Sequence, residues 1–81
     1  MPKHIHWSDE ARADLRAIDR ETALRILVAV GRFLKTGVGD VKQFHPPLFR
    51  LRVDGWRIFY REQGEGLIVG VRVRSRGEAY R

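Results

Sequence analysis

The sequence predicts a small α+β fold: a small antiparallel sheet with two N-terminal helices packed on one face, in the order β-α-α-β-β-β. Three observations point to it. The first half carries apolar residues at helical spacing behind two side chains suited to N-capping. The second half alternates, and Asp54-Gly55 separates two alternating runs as a hairpin turn would. The whole chain is 81 residues with 43% apolar residues, which suits a single domain over 1–81 with one modest core.

Lys3 to Trp7 alternates and reads as a first strand. Ser8 is a good N-cap, and Asp9 and Glu10 favour the first turn of a helix. Trp7, Ala11, Leu15 and Ile18 recur at helical spacing, so residues 9–18 are expected to be helical. Asp19 reads as the N-cap of a second helix. Ala23, Leu24, Ile26, Leu27, Val30, Phe33 and Leu34 give it a wide apolar face, and Gly37 can end it. Gly37 to Pro47, with its glycines and prolines, reads as a loop. Leu48–Val53 and Trp56–Glu62 form the hairpin around a turn expected to be type I′. Gln63 to Gly66 is a second turn, Leu67–Arg74 a last strand, and Ser75–Arg81 a short polar tail.

A two-residue loop sets the register of the hairpin. Val53 should pair with Trp56, Arg52 with Arg57, Leu51 with Ile58, Arg50 with Phe59 and Phe49 with Tyr60. Alternation then sends Phe49, Leu51, Val53, Trp56, Ile58 and Tyr60 toward the helices. Arg50, Arg52, Arg57, Phe59 and Arg61 point the other way. In the last strand, strict alternation assigns Leu67, Val69, Val71 and Val73 to the core, and Arg72 and Arg74 to the open face. Like charges opposite one another repel. A solvated face with no use for that charge is more cheaply built from Thr, Glu or Gln, so the cluster predicts an anion-binding face.

Charge and composition agree. There are 16 Lys and Arg against 10 Asp and Glu, a net charge of +6. Residues 50–81 hold eight cations, all Arg, against four acids. That favours an anionic partner such as nucleic acid, an acidic protein or a membrane surface. Cysteine is absent, which removes disulfides, thiolate metal sites and a cysteine nucleophile. The longest apolar run, Ile26–Val30, is too short to span a bilayer, and no signal-peptide pattern follows Met1.

Other features carry less. His4 and His6 fall on one face of a strand, but with no obvious third ligand they read as a solvated edge pair. His45 reads first as a surface loop residue and second as a general base or RNA contact. Gly64-Glu65-Gly66 precedes a strand, so it is a turn and not a phosphate loop. Tyr80, beside Arg74 and Arg76, reads either as a frayed end or as an aromatic able to stack on a base.

With these residues in view, the chain resembles the RelE/ParE superfamily of type II toxin–antitoxin toxins along almost its whole length. Trp7–Leu15 (W-S-D-E-A-R-A-D-L) is similar to the family's first-helix motif. Leu48–Tyr60 (L-F-R-L-R-V-D-G-W-R-I-F-Y) is the most specific segment, and Val71–Arg81 resembles the closing strand and terminal Arg–Tyr spacing. The resemblance implies the RelE-like microbial RNase fold and one of two activities. RelE-like members cleave mRNA in the ribosomal A site, and ParE-like members poison DNA gyrase.

Carried over residue by residue, the RelE-type catalytic positions are Arg50, Arg52, Arg57, Arg74 and Tyr80. Arg61, Arg72, Arg76, Phe59 and His45 are expected RNA contacts. Because all five catalytic positions hold a basic or aromatic residue of the expected type, the RNase reading leads, with a gyrase inhibitor as the alternative and a non-toxic binding module third. The first two positions are commonly Lys in the RelE pattern. Arg is not deprotonated in proteins, so Arg50 and Arg52 cannot act as bases. The chain ends one residue after Tyr80, so the C-terminal helix of some relatives is not expected. The resemblance also implies a cognate antitoxin, mRNA and the ribosome as partners, no cofactor or metal, no membrane association, and a cytoplasmic location.

Overall fold

The protein is described by a computed structural model covering residues 3–45 and 47–75. Its elements are β1 (His4–Trp7), α1 (Asp9–Arg16), α2 (Arg20–Thr36), β2 (Asp40–Gln43), β3 (Leu48–Val53), β4 (Trp56–Gly64) and β5 (Leu67–Ser75). The five strands form one mixed sheet in the order β1-β5-β4-β3-β2. The core lies between the sheet and α2. Ile26 and Val30 pack with Leu51, Ile58, Tyr60, Ile68 and Val73, while Trp7, Leu15, Ile18, Phe33 and Trp56 close its margins.

Local chemistry sets both helices. The Ser8 hydroxyl accepts from the Ala11 amide at 3.0 Å, and the Asp19 carboxylate accepts from the Thr22 amide at 3.0 Å, each satisfying an otherwise orphaned N–H. α2 ends at Gly37, whose φ of 74° allows its amide to reach the Phe33 carbonyl. α1 is shorter than the sequence suggests. Asp19 must be extended to cap α2 (φ −59°, ψ 147°), so the chain leaves the helix at Ala17 while Ile18 still packs inward.

The hairpin register agrees with the sequence reading at every expected pair, from Val53↔Trp56 to Phe49↔Tyr60. The turn itself differs. Only Asp54 has positive φ (53°), whereas type I′ requires it at both central residues. Loop length, rather than that turn type, sets the register.

Three further features depart from expectation. Asp40–Gln43 is a strand and not a loop, paired antiparallel with β3. All four of its residues are exposed, so this short edge strand shows little apolar signal. β1 pairs parallel with β5, so the sheet is mixed rather than wholly antiparallel.

In β5 strict alternation fails. Tyr60 pairs with Gly70 and Phe59 with Arg72, leaving Val71 as a bulge. The bulge changes the face of everything before it. Ile68 enters the core and Leu67 is 38% exposed. Val69, though buried, pairs with Arg61 on the far face, and Val71 is half-buried outside the core cluster. Of the four expected core residues in this strand, Val73 alone belongs to the cluster.

Gly70 explains the site of the change. A Cβ there would lie 2.7 Å from Cζ3 of Trp7, so the indole covers a strand position that tolerates no side chain. The Ser8 hydroxyl donates to the bulged Val71 carbonyl at 2.9 Å, tying the start of α1 to the irregularity.

Candidate functional site

The bulge turns over the residues before it and leaves Arg72 and Arg74, flanking the core residue Val73, on the face away from the helices where alternation puts them. Two rows then cross that face. One runs Asp40–Arg52–Arg57–Arg74 and the other Lys42–Arg50–Phe59–Arg72, each position directly opposite the next. A third row joins Leu48, Arg61, Val69 and His6. The expected convergence of Arg50, Arg52, Arg57, Arg61, Arg72, Arg74 and Phe59 on one surface is therefore what the registers produce.

The arginines are not equivalent. Arg52 and Arg61 are exposed, and Arg74 is half-buried. Arg57, expected on an open face, is 3% exposed, and it is opposite Arg52 on one side and Arg74 on the other. Its charge is held where water screens it least. Arg50 is mostly covered, and its Nη2 lies 3.6 Å from Asp40 Oδ1.

Arg72 is clamped. Its Nε donates to Asp14 Oδ2 at 2.8 Å and its Nη2 to Oδ1 at 3.1 Å, while the Val73 amide also donates to Oδ2 at 2.8 Å. Asp14 thus sits at the edge of β5 beyond the end of β1 and accepts a backbone N–H there. Burial alone would raise its carboxyl pKa, but the Arg72 and Val73 bonds with the Arg72 and Arg74 charges outweigh that and hold it below the ordinary value.

The sequence reading did not single out Asp14, Asp40, Lys42 or Phe44. Phe44 follows β2, is 41% exposed, and places its ring 6.1 Å from that of Phe59 at 39°. Lys42 Nζ lies 5.4 Å from the Phe44 centroid. Val41-Lys42-Gln43-Phe44 does not alternate and lies in a segment bounded by Gly and Pro, so the sequence carried no signal for this strand.

His45 is exposed on the loop before β3. Tyr60 lies on the core face: burial, then Glu62, pushes its hydroxyl up to about 12, and its ring stacks on Phe49 at 5.3 Å. Arg76 and Tyr80 lie outside the described residues. Among the described residues, no cluster of three or more His, Asp or Glu is disposed to hold a metal ion, and no helix is long and apolar enough to cross a membrane.

The mixed sheet with two helices on one face matches the fold of RelE-like toxin structures. The chain is similar to the archaeal RelE–RelB complex from Pyrococcus horikoshii at TM-score 0.77 and 17% identity, covering 95% of this chain and 98% of that one. Similarity to the RelBE2 toxin–antitoxin complex from Mycobacterium tuberculosis gives TM-score 0.73 at 22% identity, with 94% and 100% covered. YafQ from E. coli aligns at TM-score 0.66 and 11% identity, with 98% and 99% covered. No curated protein sequence matches the chain. Residues 5–80 match the model of the ParE toxin of the type II toxin–antitoxin system parDE. The chain belongs to that family, within the RelE/ParE superfamily, and is a type II toxin.

Proposed function

We propose that this toxin is a RelE-like endoribonuclease that cleaves ribosome-bound mRNA in the cytoplasm, with the arginine face as its site. The observation that carries the reading is the row Arg52–Arg57–Arg74, three arginines side by side across three strands. Such a row concentrates positive potential on one strip of the sheet. Arg is the side chain best matched to phosphate.

In the proposed reaction the substrate's own 2′-oxygen attacks phosphorus and the P–O5′ bond breaks, leaving a 2′,3′-cyclic phosphate and a 5′-hydroxyl. Arg52 and Arg74 hold the phosphate as negative charge builds on it. Arg57, buried between them, supplies fixed positive potential. Arg50 steadies a flanking phosphate. Tyr80 takes the 2′-OH proton or stacks on a base, and His45, one residue beyond Phe44, is the reserve acid or base. DNA has no 2′-OH and is not cut.

Purified protein added to ribosomes carrying mRNA should cleave it, and Arg52→Ala and Arg74→Ala should abolish cleavage while thermal unfolding stays close to wild type. Unchanged cleavage in both variants removes the site. The family model favours a second reading, a ParE-like inhibitor of DNA gyrase without nuclease activity. Pulse labelling after induction separates them: protein synthesis fails first for the RNase, DNA synthesis first for the gyrase inhibitor.

Either toxin needs a cognate antitoxin, and relatives of similar fold are seen in complex with RelB antitoxins. An acidic segment would neutralise the arginine face. An amphipathic helix would suit the groove of about 490 Å³ between α2 and the hairpin turn, lined by Leu24, Val28, Ala29 and Val53 with Arg25 and Arg32.

A further inference from the structure

We propose that Phe44, Phe59 and Lys42 form a nucleobase-stacking platform beside the arginine row, taking an unpaired base next to the phosphate that Arg52 and Arg74 hold. This rests on the RNA reading above and adds a second subsite to it. Phe44 is the observation that calls for an occupant. It is 41% exposed, lies outside the core cluster, and packs on Phe59 at 6.1 Å on the face away from the helices.

The backbone that carries the ring is held in place. The Phe44 amide donates to the Leu48 carbonyl at 3.0 Å, and the Leu48 amide donates to the His45 carbonyl at 2.6 Å, so the short connection between β2 and β3 is pinned at both ends. An exposed phenyl on an anchored backbone beside cations has the character of a stacking surface: sequence-tolerant, because every base has a π-face. Lys42 Nζ lies over the same ring at 5.4 Å, where it is drawn to the π-electrons and offers a charge to the adjoining phosphate.

Spacing agrees. Phe59 lies in the row Lys42–Arg50–Phe59–Arg72, two residues along β4 from Arg57. That is roughly 7 Å along a strand, comparable to the step between neighbouring nucleotides. One row holds a phosphate and the next holds the base beside it.

The test measures binding of a short single-stranded RNA and of a ribose-phosphate oligomer of equal length without bases. Phe44→Ala should weaken RNA binding about tenfold, the order expected for one base stacked on an aromatic, and leave the abasic oligomer unchanged. Phe44→Trp should restore RNA binding. A 2-aminopurine placed in the RNA should be quenched by wild type and Phe44→Trp but not by Phe44→Ala. Arg52→Gln should weaken both oligomers. RNA affinity unchanged in Phe44→Ala, alongside a loss in Arg52→Gln, overturns the platform and leaves the arginine site standing. Equal losses for RNA, the abasic oligomer and polyglutamate in Phe44→Ala also overturn it, because the residue then serves anion binding in general. A wild-type protein that binds neither oligomer overturns both readings.

Discussion

Replacing Asp14 probes how the sheet edge and the charged face depend on each other. Its carboxylate accepts two bonds from Arg72 and one from the Val73 amide. The side chains are 37% and 14% exposed for Arg72 and Asp14, so solvent screens the ion pair and its share is no more than about 1 kcal/mol. The Val73 amide is different. Asp14→Ala removes its acceptor in a half-covered position, a loss of about 1–3 kcal/mol. Together Asp14→Ala should cost about 2 kcal/mol, a fall in Tm of roughly 8–16 °C for a domain of this size. Asp14→Asn keeps an acceptor for Val73 and should cost less than about 1 kcal/mol.

The pH dependence has a defined sign. The folded pKa of Asp14 lies below its ordinary value of 3.8. The ionised carboxylate's contribution is therefore complete above the unfolded value and lost as pH falls through the folded one. Urea unfolding at pH 7 and again near pH 3 should show the gap between wild type and Asp14→Ala narrowing in acid. A variant within about 0.5 kcal/mol of wild type at pH 7, the usual effect of a surface substitution, refutes the clamp.

Further outcomes follow from other elements. Gly70→Ala drives a methyl into the Trp7 ring and should destabilise by about 1–3 kcal/mol, the range for overpacking, read from urea midpoints with Gly55→Ala, which meets open space, as a turn control. Asp19→Ala removes the cap on the Thr22 amide and should weaken the start of α2, seen as a lower thermal midpoint in far-UV circular dichroism. Arg52→Gln should reduce the salt dependence of RNA binding. The log–log slope should fall by about 0.7, as expected when one phosphate of a single strand is no longer neutralised; an unchanged slope removes Arg52 from the phosphate-binding set. Arg72→Gln should lower stability more than it lowers RNA affinity, because Asp14 already engages its Nε and Nη2.

What could be read along the chain was whatever short-range chemistry decides. Ser8 and Asp19 cap helices because their oxygens reach an amide three residues on. Gly37 ends α2 because a left-handed residue can close the last turn. The hairpin pairs as expected because two residues of loop leave one register. From that register the row Arg52–Arg57 and the likeness to the toxin superfamily were already legible.

The rest depended on residues far apart in sequence. Asp40–Gln43 becomes a strand because β3 offers it an edge, and its own four residues show little preference for one. Gly70 marks where β5 bulges, but the count of paired residues there depends on Trp7, Tyr60 and Ser8 meeting across the fold. That bulge turns Ile68 into the core while Arg72 and Arg74 stay on the charged face. Burial of Arg57, the Asp14 clamp and the meeting of Phe44 with Phe59 have the same origin, since each joins elements that only packing brings together. The sequence alone determined which charges the protein carries and the order of the hairpin that displays most of them. Tertiary structure decided which are held, which are covered and which face a partner, because alternation is local whereas a bulge, an edge and a buried cation are settled by what lies across the sheet.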